Sequence, residues 1–188
     1  FLTLDLKDAI ITVAAMLINP VAGIAISVVV SLIEMVTLSD TMLYGFLMNV
    51  ISTVSFATVA SVIYRAKKSL YSAILGLVCG VLSMTATMML ANLLITPYYM
   101  GVTVDEVVGL IPKLLLPFNL IKSVINACIV MIIYKPVSQT LKRAGMKTGD
   151  NAESYSFKGK SIVVTLAALA VAVICFVIIF KVLGAEIK

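Results

Sequence analysis

Four stretches of this chain place amides, hydroxyls or an acid at helical spacing inside apolar sequence. Asn119, Lys122 and Asn126 are separated by 3 and 4 residues, as are Thr85, Met88 and Asn92, and as are Asn49, Ser52 and Phe56. Ser27, Ser31 and Glu34 are separated by 4 and 3. Residues at i, i+3 and i+7 share one helix face, so each stretch projects a polar stripe. For serine and threonine the plain account is helix gluing inside a membrane. Lysine does not fit that account well, since it has three donors and no acceptor. A charge at mid-bilayer costs roughly 2.5–3.5 kcal/mol on insertion scales. Lys122 follows Pro112 by 10 residues, which places it roughly 15 Å into the layer, deeper than a side chain that snorkels from a helix end. A binding role accounts for it better.

The chemistry on offer is recognition. Asparagine presents a donor and an acceptor, and the ammonium only donors. Asn92, Asn119 and Glu34 lie toward one end of their segments, with Asn49 on the adjoining stripe. Loops 1–8 and 95–109 bring Leu4, Tyr98, Tyr99 and Met100 over them. Apolar walls with a few fixed polar groups make a small-molecule pocket. Amides and one ammonium match a planar heterocycle with imide-like N–H and carbonyl groups. With Lys122 as the only buried cation in that half, the ligand is expected to be neutral or weakly anionic, because phosphates and dicarboxylates demand more positive charge. On the same reading, Lys122→Met leaves the empty protein equally or more stable. Asp5 and Asp8 are read as shaping the loop or starting a helix, where carboxylates are favourable.

Enzymatic chemistry has little support. The chain has no histidine, which removes imidazole acid–base catalysis and histidine metal ligation. Cys79, Cys128 and Cys175 each sit in an apolar run without pairing motifs and read as small packing residues. No GxxxxGK[ST] motif occurs, so work driven by nucleotide hydrolysis needs a partner. Nothing suggests nucleic acid as a partner or a resident cofactor.

The elements that position these groups are membrane helices. The 188 residues are 62% hydrophobic and 12% charged, with mean hydropathy +1.16, far from the roughly 45–50% and 25% of soluble domains. The expected fold is an all-α integral membrane protein, a polytopic helical bundle contacting lipid. The first block, 8–36, is broken by Asn19-Pro20, where proline removes a helix hydrogen bond and pushes the preceding residue out of the α region. It reads as either one kinked span or two short helices, about 8–18 and 20–36, with the two-helix reading preferred. Blocks at 42–64 and 70–95 follow, then a loop with Pro97, Gly101 and Gly109 as breakers, then a block at 110–134 that continues toward Arg143. The domain reading is a membrane-embedded bundle over 1–143, a polar cytoplasmic linker over 144–160, and an additional transmembrane helix with a short tail over 161–188.

At these residues a family resemblance becomes visible. FLTLDLKD, NPVAG, FLMNVIS, MMLANLLI and above all LPFNLIK, in this order over about 1–143, resemble the riboflavin-specific S component of energy-coupling factor (ECF) transporters. The resemblance implies a prokaryotic cell-membrane protein that captures riboflavin from outside, with a transmembrane coupling subunit and two ATPase subunits as partners. It implies ring contacts from Asn119 and Lys122, the NxxK motif, from Asn92, and from the backbone of Leu4. In that family six helices form the subunit. About five are expected here, the usual first helix being absent from this chain, with the extra C-terminal helix beyond them. The alternatives are an S component for another vitamin or small carboxylate, and a non-transport membrane scaffold.

Nine of the 14 basic residues fall at Arg65 to Lys68, Lys135 to Lys147, and Lys158 with Lys160. All lie on one face if the blocks alternate, and the positive-inside rule makes that face cytoplasmic. Residues 65–69 and 135–160 are therefore expected inside, and 37–41 and 96–108 outside. Cysteine labelling in intact cells, on a Cys-free background, checks this: a cysteine at position 67 stays unlabelled from outside and one at position 104 is labelled.

Overall fold

The computed structural model describes residues 6–37 and 42–143, together with 170, 171, 173 and 174. Six α-helices and one π-helical segment are seen among them: α1 (Lys7–Leu17), α2 (Pro20–Thr37), α3 (Met42–Lys67), α4 (Leu70–Met100), α5 (Val104–Leu110), the π segment (Ile111–Leu115) and α6 (Leu116–Arg143). Among the described residues four stretches are long and apolar enough to cross a membrane: α2, α3, α4 and 104–134. Residues 170, 171, 173 and 174 are helical. The rest of the expected C-terminal helix and the 144–160 linker lie outside the described residues.

The break at Asn19-Pro20 separates two helices, as expected. Asn19 Oδ1 accepts from the Ala22 N–H at 2.6 Å, an N-cap with proline at the first helical position, where its missing N–H costs nothing. At the end of α1, Arg65 donates to the Ile18 carbonyl at 2.6 Å, a cation on otherwise unsatisfied helix-terminal oxygens. Lys7 at the start of α1 is paired with Glu34 near the end of α2. The two helices thus run antiparallel, and α1 leads from the level of Glu34 to the level of Arg65.

The expected loop at 95–109 is mostly helix. Pro97 gives up one N–H, yet α4 continues for another turn and ends at Gly101, whose φ of +67° is left-handed and whose N–H bonds the Pro97 carbonyl at 3.0 Å. Gly101 is the breaker, and Pro97 is not. Gly109 sits inside α5. Thr103 and Glu106 form a reciprocal capping box at the start of α5, and that T-x-x-E spacing was a readable start signal.

The core lies between α1, α3, α4 and α6. Phe56, Ala60 and Tyr64 of α3 meet Leu77, Val81, Met84 and Met88 of α4, with Ala9, Val13, Met16 and Leu17 of α1 and Val130 of α6. At the Arg65 end the Tyr64 and Tyr134 rings stand edge to face, centroids 5.4 Å apart, with their hydroxyls hydrogen-bonded. By contrast α2 buries only Gly23, Ser27 and Ser31. Val21, Val29, Ile33 and Val36 are exposed, as suits a helix with lipid on most sides.

Small residues set the helix separations. A Cβ on Gly76 would meet the Ala60 carbonyl oxygen at 2.6 Å, whereas one on Gly109 would meet nothing within 4 Å. Gly76→Ala is therefore expected to push α4 off α3 and cost about 1–3 kcal/mol. Gly109→Ala is expected to gain roughly 0.5–1 kcal/mol through helix propensity. Thermal melting in detergent checks both signs.

Candidate functional site

The α6 stripe begins with its own backbone. Pro112 and Pro117 lack the N–H groups of a regular helix, and the chain takes a π turn between them, with Leu116 N–H bonded to the Ile111 carbonyl. A π turn holds about one more residue than an α turn, so every later side chain is rotated by about 100° from where an unbroken α-helix would carry it. This turn sets which way Asn119 and Lys122 face.

Both are buried. Asn119 is 2% and Lys122 6% exposed, with Asn126 fully buried one turn on. Asn119 Nδ2 donates to the Leu115 carbonyl at 2.8 Å, Asn126 Nδ2 to that of Lys122 at 3.1 Å, and Asn92 Nδ2 to that of Met88 at 2.7 Å. Each asparagine thus folds its amide nitrogen onto its own helix, and the three carbonyl oxygens differ in what they meet. Asn92 Oδ1 accepts from Thr96 at 3.0 Å. Asn126 Oδ1 accepts from the Ala9 backbone N–H at 3.1 Å, linking α6 to α1. Asn119 Oδ1 takes no hydrogen bond among the described residues. On the neighbouring stripe, Thr85 of α4 lies 3.5 Å from Ser123 of α6.

Lys122 has a partner the sequence did not disclose. Its Nζ lies 3.9 Å from Oδ2 of Asp8, which is fully buried on α1. Thr53 of α3 donates to Asp8 Oδ1, and Ser52 lies 3.5 Å from Oδ2. Asp8 therefore does more than start a helix. It is an internal acid, and it reverses the expectation for Lys122→Met: that change removes the cation facing a buried carboxylate, which is destabilising. The Asn49–Ser52 stripe gave half of the signal, because it aims Ser52 at the carboxylate; Asp8 carried none that separates it from an ordinary first-turn acid.

Glu34 and Asn49 come together, Asn49 Nδ2 donating to Glu34 Oε2 at 3.0 Å beside Lys7. Lys7 is a second cation near this end, with a side chain 12% exposed, so Lys122 is not alone there. No hydrogen bond or ion pair joins Glu34 or Asn49 to Asn119 or Lys122 among the described residues. Leu4 lies outside the described residues. Tyr99 and Tyr44 approach with ring centroids 6.1 Å apart, while Tyr98 is exposed. Among the described residues no group of acids and cysteines could hold a metal ion.

The helices bring a buried amide and ammonium face together inside the bundle. A family model for the ECF transporter substrate-specific component matches residues 1–134. The chain belongs to that family. It is similar to the riboflavin transporter RibU of Staphylococcus aureus (strain TCH60), 29% identical over 150 residues, which are 76% of this chain and 78% of that protein. The solved structure of the S component of a bacterial ECF transporter is 30% identical and matches with a TM-score of 0.64, covering 76% of this chain and 81% of that one. This S component is a non-enzymatic, multi-pass subunit of the prokaryotic plasma membrane, serving uptake of a vitamin-type substrate together with an ECF module.

The Lys7–Glu34–Asn49 cluster makes a local prediction. Glu34→Gln removes the acid facing a part-buried cation and is expected to cost about 1 kcal/mol. The loss shrinks when Lys7→Met is added, because the double variant carries neither charge. Melting temperatures of the two single variants and the double variant check this.

Proposed function

We propose that this S component captures riboflavin from the outer face of the membrane. The observation that carries the reading is the buried Asn119–Lys122 face of α6 (2% and 6% exposed), in a chain whose relative RibU is a riboflavin transporter. The pyrimidinedione edge of the flavin ring offers an N–H between two carbonyls. Asn119 Oδ1 suits the N–H, the Lys122 ammonium suits a carbonyl, and Asn92 on α4 and the backbone of Leu4 complete the polar contacts. Glu34 and Asn49 belong to the mouth of the same site. A transmembrane coupling subunit and two ATPase subunits supply the driving force, and residues 161–188 add a further membrane helix.

The small-carboxylate alternative assigns Lys122 as the ligand's counter-ion. Asp8 at 3.9 Å weighs against it, since the ammonium already faces a carboxylate and a second one would bring repulsion into the bundle.

Thermal melting with added vitamins tests the proposal. Riboflavin at 100 times its Kd is expected to add about 2.7 kcal/mol, with thiamine and biotin at equal concentration adding nothing. Stabilisation by biotin and none by riboflavin would move the substrate to the carboxylate class.

A further inference from the structure

The groups around Asp8 form one connected unit across three helices. Thr53 and Ser52 of α3 donate to its carboxylate, Thr12 donates to its backbone carbonyl at 2.6 Å, and Lys122 of α6 faces its Oδ2. One residue on, the Ala9 N–H is bonded by Asn126, whose amide in turn holds the Lys122 carbonyl. Both ends of Lys122, its backbone and its ammonium, are thereby tied to the first turn of α1. A flexible four-carbon stem would otherwise let a point charge wander through a pocket. Since ammonium has three N–H donors, a carboxylate on one side does not use up its capacity for a ligand carbonyl on the other.

We infer that Asp8 is a positioning residue for substrate capture: it fixes the Lys122 ammonium and cancels its charge, so that the site takes an uncharged ligand, and it acts on the ligand only through Lys122. The inference rests on the riboflavin reading for its ligand and has an arm that needs none. Acting only through Lys122 has a consequence that a packing role does not share. Once Lys122 is gone, removing Asp8 as well costs no further affinity.

The experiment is a cycle of Asp8→Asn, Lys122→Met and the double variant, with riboflavin Kd and ligand-free melting temperature measured for each. Each single variant is expected to weaken binding by about tenfold or more at unchanged stoichiometry, so that the loss falls on Kd and not on the folded fraction. The double variant binds within about twofold of Lys122→Met. Without ligand, each single variant melts below the parent and the double variant melts above both, because each single leaves one buried charge unopposed and the double leaves none. A double variant that binds tenfold or more below Lys122→Met would show that Asp8 serves the ligand by another route and would overturn the inference. If the parent fails to bind riboflavin, only the riboflavin reading falls. The melting temperatures then decide: a double variant above both singles supports the pairing, and losses that simply add overturn it.

Discussion

A lysine ammonium held inside an apolar helical bundle must be matched by a charge of opposite sign, and here Asp8 matches it. Isolated burial of either ion costs several kcal/mol, and attraction offsets this only when geometry is good and the remaining polar atoms are satisfied. In the structure the hydroxyls of Ser52 and Thr53 supply the acid's hydrogen bonds, and the ammonium faces it at 3.9 Å, just beyond hydrogen-bond reach. Other features of the bundle follow from holding these groups together. The first helix of the described chain packs against α2, α3 and α6 with Ala9, Ile11, Thr12, Val13 and Ala15 nearly solvent-free. The π turn before α6 swings Lys122 toward it. Asn126 then pins the two helices at the neighbouring peptide.

This arrangement explains why so short a helix can be part of a membrane domain. The 11 residues of α1 span about 16 Å, too little to cross a bilayer alone. Both its ends are fastened by charge, the first turn through Lys7 to Glu34 and Asp8 to Lys122, and the last through Arg65 on the Ile18 carbonyl. The longer helices face lipid, and α2, the most thinly buried among them, sets exposed valines and isoleucines against a buried stripe of only Gly23, Ser27 and Ser31. The division suits a binding subunit: α1, α3 and α6 bring buried polar groups together around Asp8, and apolar side chains face outward on the longer helices.

Much of this was legible in the residues. Hydrophobic blocks and Asn19-Pro20 placed the helices to within three residues through α3, because apolar length and proline chemistry act locally. The stripe containing Asn119 and Lys122 was legible for the same reason, since helical spacing alone brings them to one face. Pro97 misled, because a proline in a last turn removes one hydrogen bond without ending the helix, and Gly101 held the true stop. Asp8 was out of reach. Its meaning depends on α6, 114 residues later in the chain, and on hydroxyls of α3 more than 40 residues away. No local pattern encodes a contact of that separation. The π segment was hidden too, since two prolines five apart fit a loop or a helix start equally well.

The account stands on Asp8 being an anion inside the bundle, facing a charged lysine and leaving the proposed riboflavin site electrically balanced. The infrared difference spectrum between the parent protein and Asp8→Asn, recorded without ligand near neutral pH, measures that charge state directly. The account predicts that the substitution removes the stretching bands of an ionised carboxylate. Loss of the carbonyl stretch of a protonated acid instead would mean that Asp8 is neutral, that Lys122 is balanced from elsewhere, and that the pair does not set the charge of the site.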